Sequence, residues 1–87
     1  MPNFEPTGDL LTDIQQAIDN ATVIYIEYVD RKGSASVRTV APLEVRGDRF
    51  YAADLDKMAL RLFILDSVTA YDITDETFDK DSLNLSN

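Results

Sequence analysis

The sequence predicts an α+β fold, mainly β, in which one N-terminal amphipathic helix packs on a small, bent, five-stranded antiparallel sheet. Three observations predict it. Apolar residues recur at helical spacing in the first twenty positions, and runs of β-branched and aromatic residues separated by short turns follow them. The length of 87 residues fits one domain, which buries roughly 60 to 65% of its unfolded surface on folding.

The helix is predicted from Asp9 to about Asn20. Its apolar residues form one stripe, made of Leu10, Leu11, Ile14, Ala17 and Ile18. We expect Thr7 or Thr12 to cap its N-terminus and Asn20 to end it. Residues 1–8 contain two prolines and a glycine and indicate an extended lead-in to a domain that spans 9–78.

Five segments carry strand patterns, and three turns separate the first four of them. The predicted strands are Thr22 to Val29, Ser36 to Val45, Phe50 to Leu55, Ala59 to Leu65 and Val68 to Ile73. Gly33, Gly47 and the segment from Asp56 to Met58 mark the turns. Pro42 lacks a backbone donor, so its strand should lie at an edge or bend there. This element order is typical of an SH3-like or Sm-like barrel.

The core is expected to combine one helix face with the inward rows of the strands. Its predicted members are Ile14, Ile18, Ile24, Ile26, Tyr28, Val40, Leu43, Phe63 and Leu65. Residues 79–87 form an acidic tail with little apolar patterning, and we expect that tail to be disordered.

Composition excludes several classes of function. Without cysteine or histidine, the chain can form no disulfide and no zinc site, and it can assemble no Ser-His or Cys-His pair, so neither a cofactor nor enzymatic activity is expected. Asp54, Asp56 and Asp66 do not have the spacing of a calcium-binding loop, and we expect no metal site. The absence of a secretion signal and of a long apolar run predicts a cytoplasmic protein.

The charge distribution bears on nucleic-acid binding. The net charge is −8, which opposes tight binding to duplex DNA by this chain alone. Apart from Lys80, the cations lie between Arg31 and Arg61, so any anion-binding surface must come from that segment.

A strand ending in Tyr28 and the turn DRKGS precede an arginine that stands two residues before a valine and four before a proline, here Arg38, Val40 and Pro42. This order of short motifs resembles the WYL domain. The family's Trp-Tyr-Leu falls on Phe50-Tyr51-Ala52, and its R-x-F-R-L-D-R-I motif falls on Arg61 to Val68. The resemblance covers roughly residues 10–78.

WYL domains usually occur in bacterial and phage regulators, where they are thought to sense a small or nucleic-acid ligand through a basic, aromatic-lined surface. The resemblance implies a ligand site at Arg38, Tyr51 and Arg61. The chain departs from the family pattern where Phe50 replaces Trp and where Ile64 and Ser67 replace arginines.

Each of the three residues also has a structural interpretation. Arg38 could pair with Glu27 or Glu44, Tyr51 could be a core ring, and Arg61 could pair with Asp54 or Asp66.

The alternation of the fourth strand predicts an interface. Phe63 and Leu65 match core positions, so Leu60, Leu62 and Ile64 should point away from the core as an exposed apolar row. Alternatively, the segments around Phe4, or around Phe78 and Leu83, could cover that row.

Three functions remain open at this point. The first is a stand-alone WYL-like regulatory module, a bacterial or phage regulator or inhibitor, that contacts a protein partner or a second copy of itself. The second is a sensor of a nucleotide or a short single-stranded nucleic acid, and the third is an acidic DNA mimic. No membrane association is expected.

Overall fold

The computed structural model describes residues 8–79 and residue 81, and it confirms the predicted α+β architecture. The elements are α1 (Leu10–Asp19), β1 (Thr22–Val29), β2 (Ala35–Arg46), β3 (Arg49–Asp54), β4 (Ala59–Ile64) and β5 (Val68–Thr77), with a 3-10 turn at Leu65–Ser67. Within this described part, no helix has both the length and the apolar character that crossing a membrane requires.

The strands form a five-stranded sheet in the order β4-β3-β2-β1-β5. Every neighbouring pair is antiparallel, and β4 and β5 are the two edges. A register shift between Pro42 and Glu44 interrupts the pairing of β2 with β3. Such bulges bend a strand and increase its twist. Pro42 therefore lies at a bend of an interior strand, and the edge position is wrong.

The ends of α1 differ in part from the expectation. Asp9 is the N-cap residue, and no side-chain hydrogen bond caps the helix. Thr12 instead donates its hydroxyl to the Asp9 carboxylate, so the prediction that Thr12 caps the helix is wrong. Thr7 lies outside the described residues. Asn20 ends the helix as predicted, and its N–H donates to the Gln16 carbonyl at 2.9 Å.

The core lies between α1 and the face of the sheet that carries Ile24, Val40 and Phe63. Its buried members are Ile14, Ala17, Ile24, Ile26, Val40, Phe50, Ala52 and Phe63, and the predicted residues Ile18, Tyr28 and Leu65 pack against them. The Phe63 ring stacks on Phe50 at a centroid distance of 5.3 Å. The rings of Tyr28 and Phe63 pack edge to face, with their centroids 5.1 Å apart.

The prediction that Leu43 belongs to the core is wrong. This residue is only half-buried and lies outside the core cluster. Leu43 is three residues from Val40, so alternation along β2 places it on the opposite face. It is also the residue at the bulge between Pro42 and Glu44 that has no paired position on β3. After the bulge the inward row continues at Val45, which packs against the core.

The last strand is longer than the sequence pattern predicted. β5 continues past Ile73 to Thr77, and the N–H of Phe78 donates to the Ala21 carbonyl at 2.8 Å. Phe78 is therefore held beside the start of β1. The predicted disorder of the tail concerns mainly residues 80 and 82–87, which lie outside the described part.

One buried polar contact ties the helix to the edge strand β5. The Tyr71 hydroxyl donates to the carboxylate of Asp13, which is fully buried in α1. Burial, followed by the hydrogen bond to Asp13 and the charge of that carboxylate, raises the pKa of Tyr71 to about 12. The neutral phenol is therefore the form that the folded state stabilises.

Replacing Tyr71 with phenylalanine should destabilise the fold by about 1 to 3 kcal/mol at neutral pH, because a buried carboxylate loses a donor. The unfolded tyrosine ionises near pH 10, whereas the folded one keeps its proton to about pH 12. Over that interval the native state binds more protons, so wild-type stability falls as pH rises. The difference in the free energy of unfolding between wild type and Tyr71→Phe should therefore become smaller as the pH rises through this interval.

Urea unfolding at pH 7 and at about pH 11 measures this difference. The matched control is Tyr25→Phe, since Tyr25 is an exposed tyrosine of β1. A stability difference for Tyr71→Phe that is unchanged between the two pH values would contradict the assignment.

Candidate functional site

Two arginines converge on one buried carboxylate on the face of the sheet that carries the core residue Phe63. Asp54, at the end of β3, is only 1% exposed, and its Oδ2 accepts a hydrogen bond from Arg38 Nη1 at 2.8 Å. Arg61 Nε lies 3.4 Å from the same oxygen. The other carboxylate oxygen accepts the N–H of Asp56 at 3.1 Å. Asp54 therefore holds both guanidinium groups in place.

Strand register brings these three side chains together. Asp54 lies opposite Val40 on β2 and opposite Ala59 on β4. Arg38 and Arg61 are each two residues from one of those positions, and side chains two apart on a strand share a face. All three therefore lie on the face that carries Phe63.

A pocket of about 350 Å³ opens beside this cluster. Its lining is Tyr28, Asp30, Ser36, Arg38 and residues 60–63. The Asp30 carboxylate accepts the N–H groups of Lys32 and Ser34 in the turn after β1. The two arginines are thus accompanied by two carboxylates, those of Asp30 and Asp54, so the formal charges at the pocket balance. This balance weakens the attraction of the pocket for an anion.

Tyr51 is separated from the two predicted arginines. On β3 it lies opposite Leu62, whereas its neighbour Ala52 lies opposite Arg61. Alternation therefore places Tyr51 on the outer face of the sheet. The Arg46 guanidinium lies over its ring, 5.4 Å from the centroid. Ligand binding at Arg38, Tyr51 and Arg61 stays a prediction, and the structure brings only the arginines together.

The structural interpretations of these residues have mixed outcomes. Arg61 pairs with Asp54, which was one of its two expected partners. Arg38 pairs with Asp54 rather than with Glu27 or Glu44. Glu27 accepts the Thr69 hydroxyl at 2.7 Å, and Glu44 pairs with Arg46 at 2.6 Å. The sequence analysis did not identify Asp54 as the common partner of both arginines. The position of Asp54, after two alanines at the end of a strand and next to a turn, was the available indication.

The predicted apolar row of β4 lies on the outer face. Leu60, Leu62 and Ile64 are opposite Ala53, Tyr51 and Arg49. Leu60 and Leu62 are 40% and 42% exposed, and Ile64 is half-buried. A role as an interface stays a prediction. Three residues mark the segments expected as alternative covers for the row. Phe78 is held at Ala21, and Phe4 and Leu83 lie outside the described residues.

Acidic residues do not assemble a metal site in the part of the chain that the structure describes. No group of three or more potential ligands comes close enough there to hold an ion. Asp54, one of the three carboxylates considered, is occupied by the two arginines.

Comparison with solved structures shows the same fold. The chain matches Proteasome accessory factor B/C (PafBC) of Arthrobacter aurescens with a TM-score of 0.75 and 22% identity. The match covers 88% of this chain and 13% of that chain, so this chain spans a small part of the PafBC length. No curated protein matches.

A family model supplies the assignment. The model for the WYL domain matches residues 9–73, which is most of the 87-residue chain. The matched range includes α1, the first four strands and the arginine cluster. The chain belongs to the WYL domain family.

Proposed function

We propose that this chain is a regulatory module that works by contact with another protein, through the outer face of β4. The observation that carries the proposal is the exposed pair Leu60 and Leu62 on an edge strand. Together with Ile64 they define the outer row, an apolar strip of three side chains on one face. Apolar side chains that cluster on a surface are typical of protein interfaces.

The energetics of the outer row are compatible with binding. Fully burying an aliphatic side chain contributes roughly 1.5 to 3 kcal/mol, and association costs offset part of that sum. Tyr51 lies opposite Leu62 and extends the strip with an aromatic ring, a residue type enriched in interface cores.

The remaining chemistry of the chain also favours binding over catalysis. The sequence contains neither histidine nor cysteine, and the buried Asp54 is engaged by two arginines. The proposed module therefore transmits a signal by association and performs no covalent chemistry.

Changing Leu62 and Ile64 together to lysine should abolish self-association or partner binding while the fold stays intact, because two charges replace apolar contacts in the outer row. Sedimentation equilibrium over a wide concentration range measures association, and circular dichroism measures folding. The matched control is Val37→Lys, since Val37 is 71% exposed on β2 and lies away from β4. A monomeric wild type together with an unfolded double variant would show that the row belongs to the core.

A second candidate function is ligand sensing at the pocket, which Arg38 and Arg61 favour. Guanidinium groups bind phosphate through charge-assisted hydrogen bonds. Asp54 already engages both of them, so a short single-stranded oligonucleotide should bind only weakly, with a Kd of roughly 10⁻⁴ to 10⁻⁶ M. Duplex DNA should bind still less, because the net charge is −8.

Fluorescence anisotropy with a labelled oligonucleotide tests the ligand-sensing candidate. Arg38→Gln with Arg61→Gln should remove the binding, and Tyr51→Phe should leave it unchanged, because Tyr51 lies on the outer face. Binding that survives the double arginine change would reject the pocket as the site.

A further inference from the structure

The unpaired edge of β4 has a defined set of free backbone groups. In an antiparallel pair, residues alternate between those whose N–H and C=O bond to the neighbouring strand and those whose groups point away from it. Ile64 donates its N–H to the Tyr28 hydroxyl at 3.1 Å, whereas Leu65 donates to Asp48 in the turn before β3, at 2.9 Å. The backbone N–H of Ile64 therefore points away from β3. By alternation, the backbone N–H and C=O groups of Leu62 and Leu60 point away from β3 as well.

Leu60 and Leu62 thus present apolar side chains on one face and, by this alternation, backbone N–H and C=O groups along the free edge, whereas the Ile64 N–H is held by Tyr28. Only another extended polypeptide offers donors and acceptors at the two-residue spacing that this edge requires. Within the described sheet, β4 has β3 as its strand partner on one side and none on the other. The edge is therefore suited to strand addition.

We infer that the protein partner of the outer row is a second copy of this chain, and that the two copies join β4 to β4 in an antiparallel register centred on Leu62. This inference rests on the proposed function, because it specifies the partner and the mode of contact at the outer row. In this register Leu62 lies opposite Leu62 of the second copy, and Leu60 lies opposite Ile64 of the second copy. All three apolar positions then meet apolar positions on the same face.

Backbone hydrogen bonding agrees with this register. The two Leu62 residues exchange both of their backbone hydrogen bonds, and each Leu60 N–H donates to the Ile64 carbonyl of the other copy. The Ile64 N–H is already held by Tyr28. The pairing therefore ends at Ile64, so that the joined edge is short.

The positions of the charged side chains favour this register over the alternative register centred on Arg61. A register centred on Arg61 also pairs Leu60 with Leu62, but it places Arg61 directly opposite Arg61 of the second copy. Like charges directly opposite each other destabilise a strand pair. The Leu62-centred register sets Arg61 opposite Phe63 instead, and β4 contains no acidic residue to introduce repulsion of its own.

The absence of cysteine makes single-cysteine cross-linking a direct test. Directly opposite residues in a hydrogen-bonded pair have Cα atoms about 5.5 Å apart, which is within the disulfide range of about 4.4 to 6.8 Å. Leu62→Cys should therefore form a disulfide dimer on mild oxidation. Leu60→Cys alone should not, because its copies would lie four residues apart, about 13 Å along the strand. Leu60→Cys mixed with Ile64→Cys should cross-link.

Val37→Cys is the control for random collision, because Val37 is exposed on another strand. Preferential cross-linking of Leu60→Cys with Leu62→Cys would overturn the register in favour of the one centred on Arg61. Cross-linking of Leu62→Cys no greater than that of Val37→Cys would overturn the strand pairing itself.

The variant Leu62→Pro distinguishes strand pairing along the edge of β4 from side-chain packing through the outer row. The Leu62 N–H points away from β3, so Leu62→Pro removes a donor only from the free edge, a position where proline is tolerated. The variant should fold and yet lose dimerisation by at least tenfold. If Leu62→Pro folds and still dimerises while the double lysine variant does not, the proposed function stands and the edge pairing is rejected.

Discussion

Replacing Phe63 with alanine should lower the free energy of unfolding by about 3 to 5 kcal/mol, the usual cost of removing a buried aromatic ring. Phe63 is 2% exposed and contacts two other rings, Phe50 and Tyr28. Its removal leaves a cavity where the edge strand β4 joins the core. Because small domains have a total stability of about 5 to 15 kcal/mol, this variant should be close to unfolding at 37 °C.

Urea or thermal unfolding measures the effect on Phe63→Ala. The comparison is Val37→Ala, which removes an exposed aliphatic side chain and should cost less than about 1 kcal/mol. Equal losses for the two variants would show that Phe63 does not anchor β4.

Replacing Asp54 with alanine should destabilise the fold by about 2 to 3 kcal/mol, because two guanidinium groups lose their common partner. The effect should be smaller than that of removing one partner from a fully buried ion pair, since the side chains of Arg38 and Arg61 are 26% and 42% exposed. Water can solvate both arginines in part.

Two further variants separate charge from hydrogen bonding at Asp54. Asp54→Asn keeps an oxygen acceptor in the same place and should lose less stability than Asp54→Ala. Asp54→Ala with Arg38→Gln should recover part of the loss, since fewer cations then remain without a counter-charge. If Asp54→Ala unfolds at the same urea concentration as wild type, the cluster contributes nothing to stability.

The sequence predicted most of the secondary structure, because the relevant signals are local. The periodicity of α1 and the β-branched run of β1 each arise within one segment. β1 was predicted with its observed bounds, Thr22–Val29. The alternation of β4 also predicted which of its residues face outward, since neighbouring side chains on a strand take opposite faces.

Part of the candidate site could not be predicted in this way. Tyr51 and Arg61 come from one hairpin and are close in sequence, yet the register of β3 against β4 places them on opposite faces. Arg38 and Asp54 are sixteen residues apart, and only the pairing of β2 with β3 brings them into contact. Family motifs identified residues that matter together, but they did not show which of them share a face.

Local sequence patterns were enough to predict the order of the elements, the apolar stripe of the helix and the apolar row of β4. Tertiary structure decided that Asp54 binds both arginines, that Leu43 leaves the core at a bulge and that β4 is an edge strand. The two kinds of information differ in how far apart along the chain the interacting residues are. Propensity and periodicity act over a few residues, whereas register, bulges and the partners of buried charges depend on contacts between segments far apart in the chain.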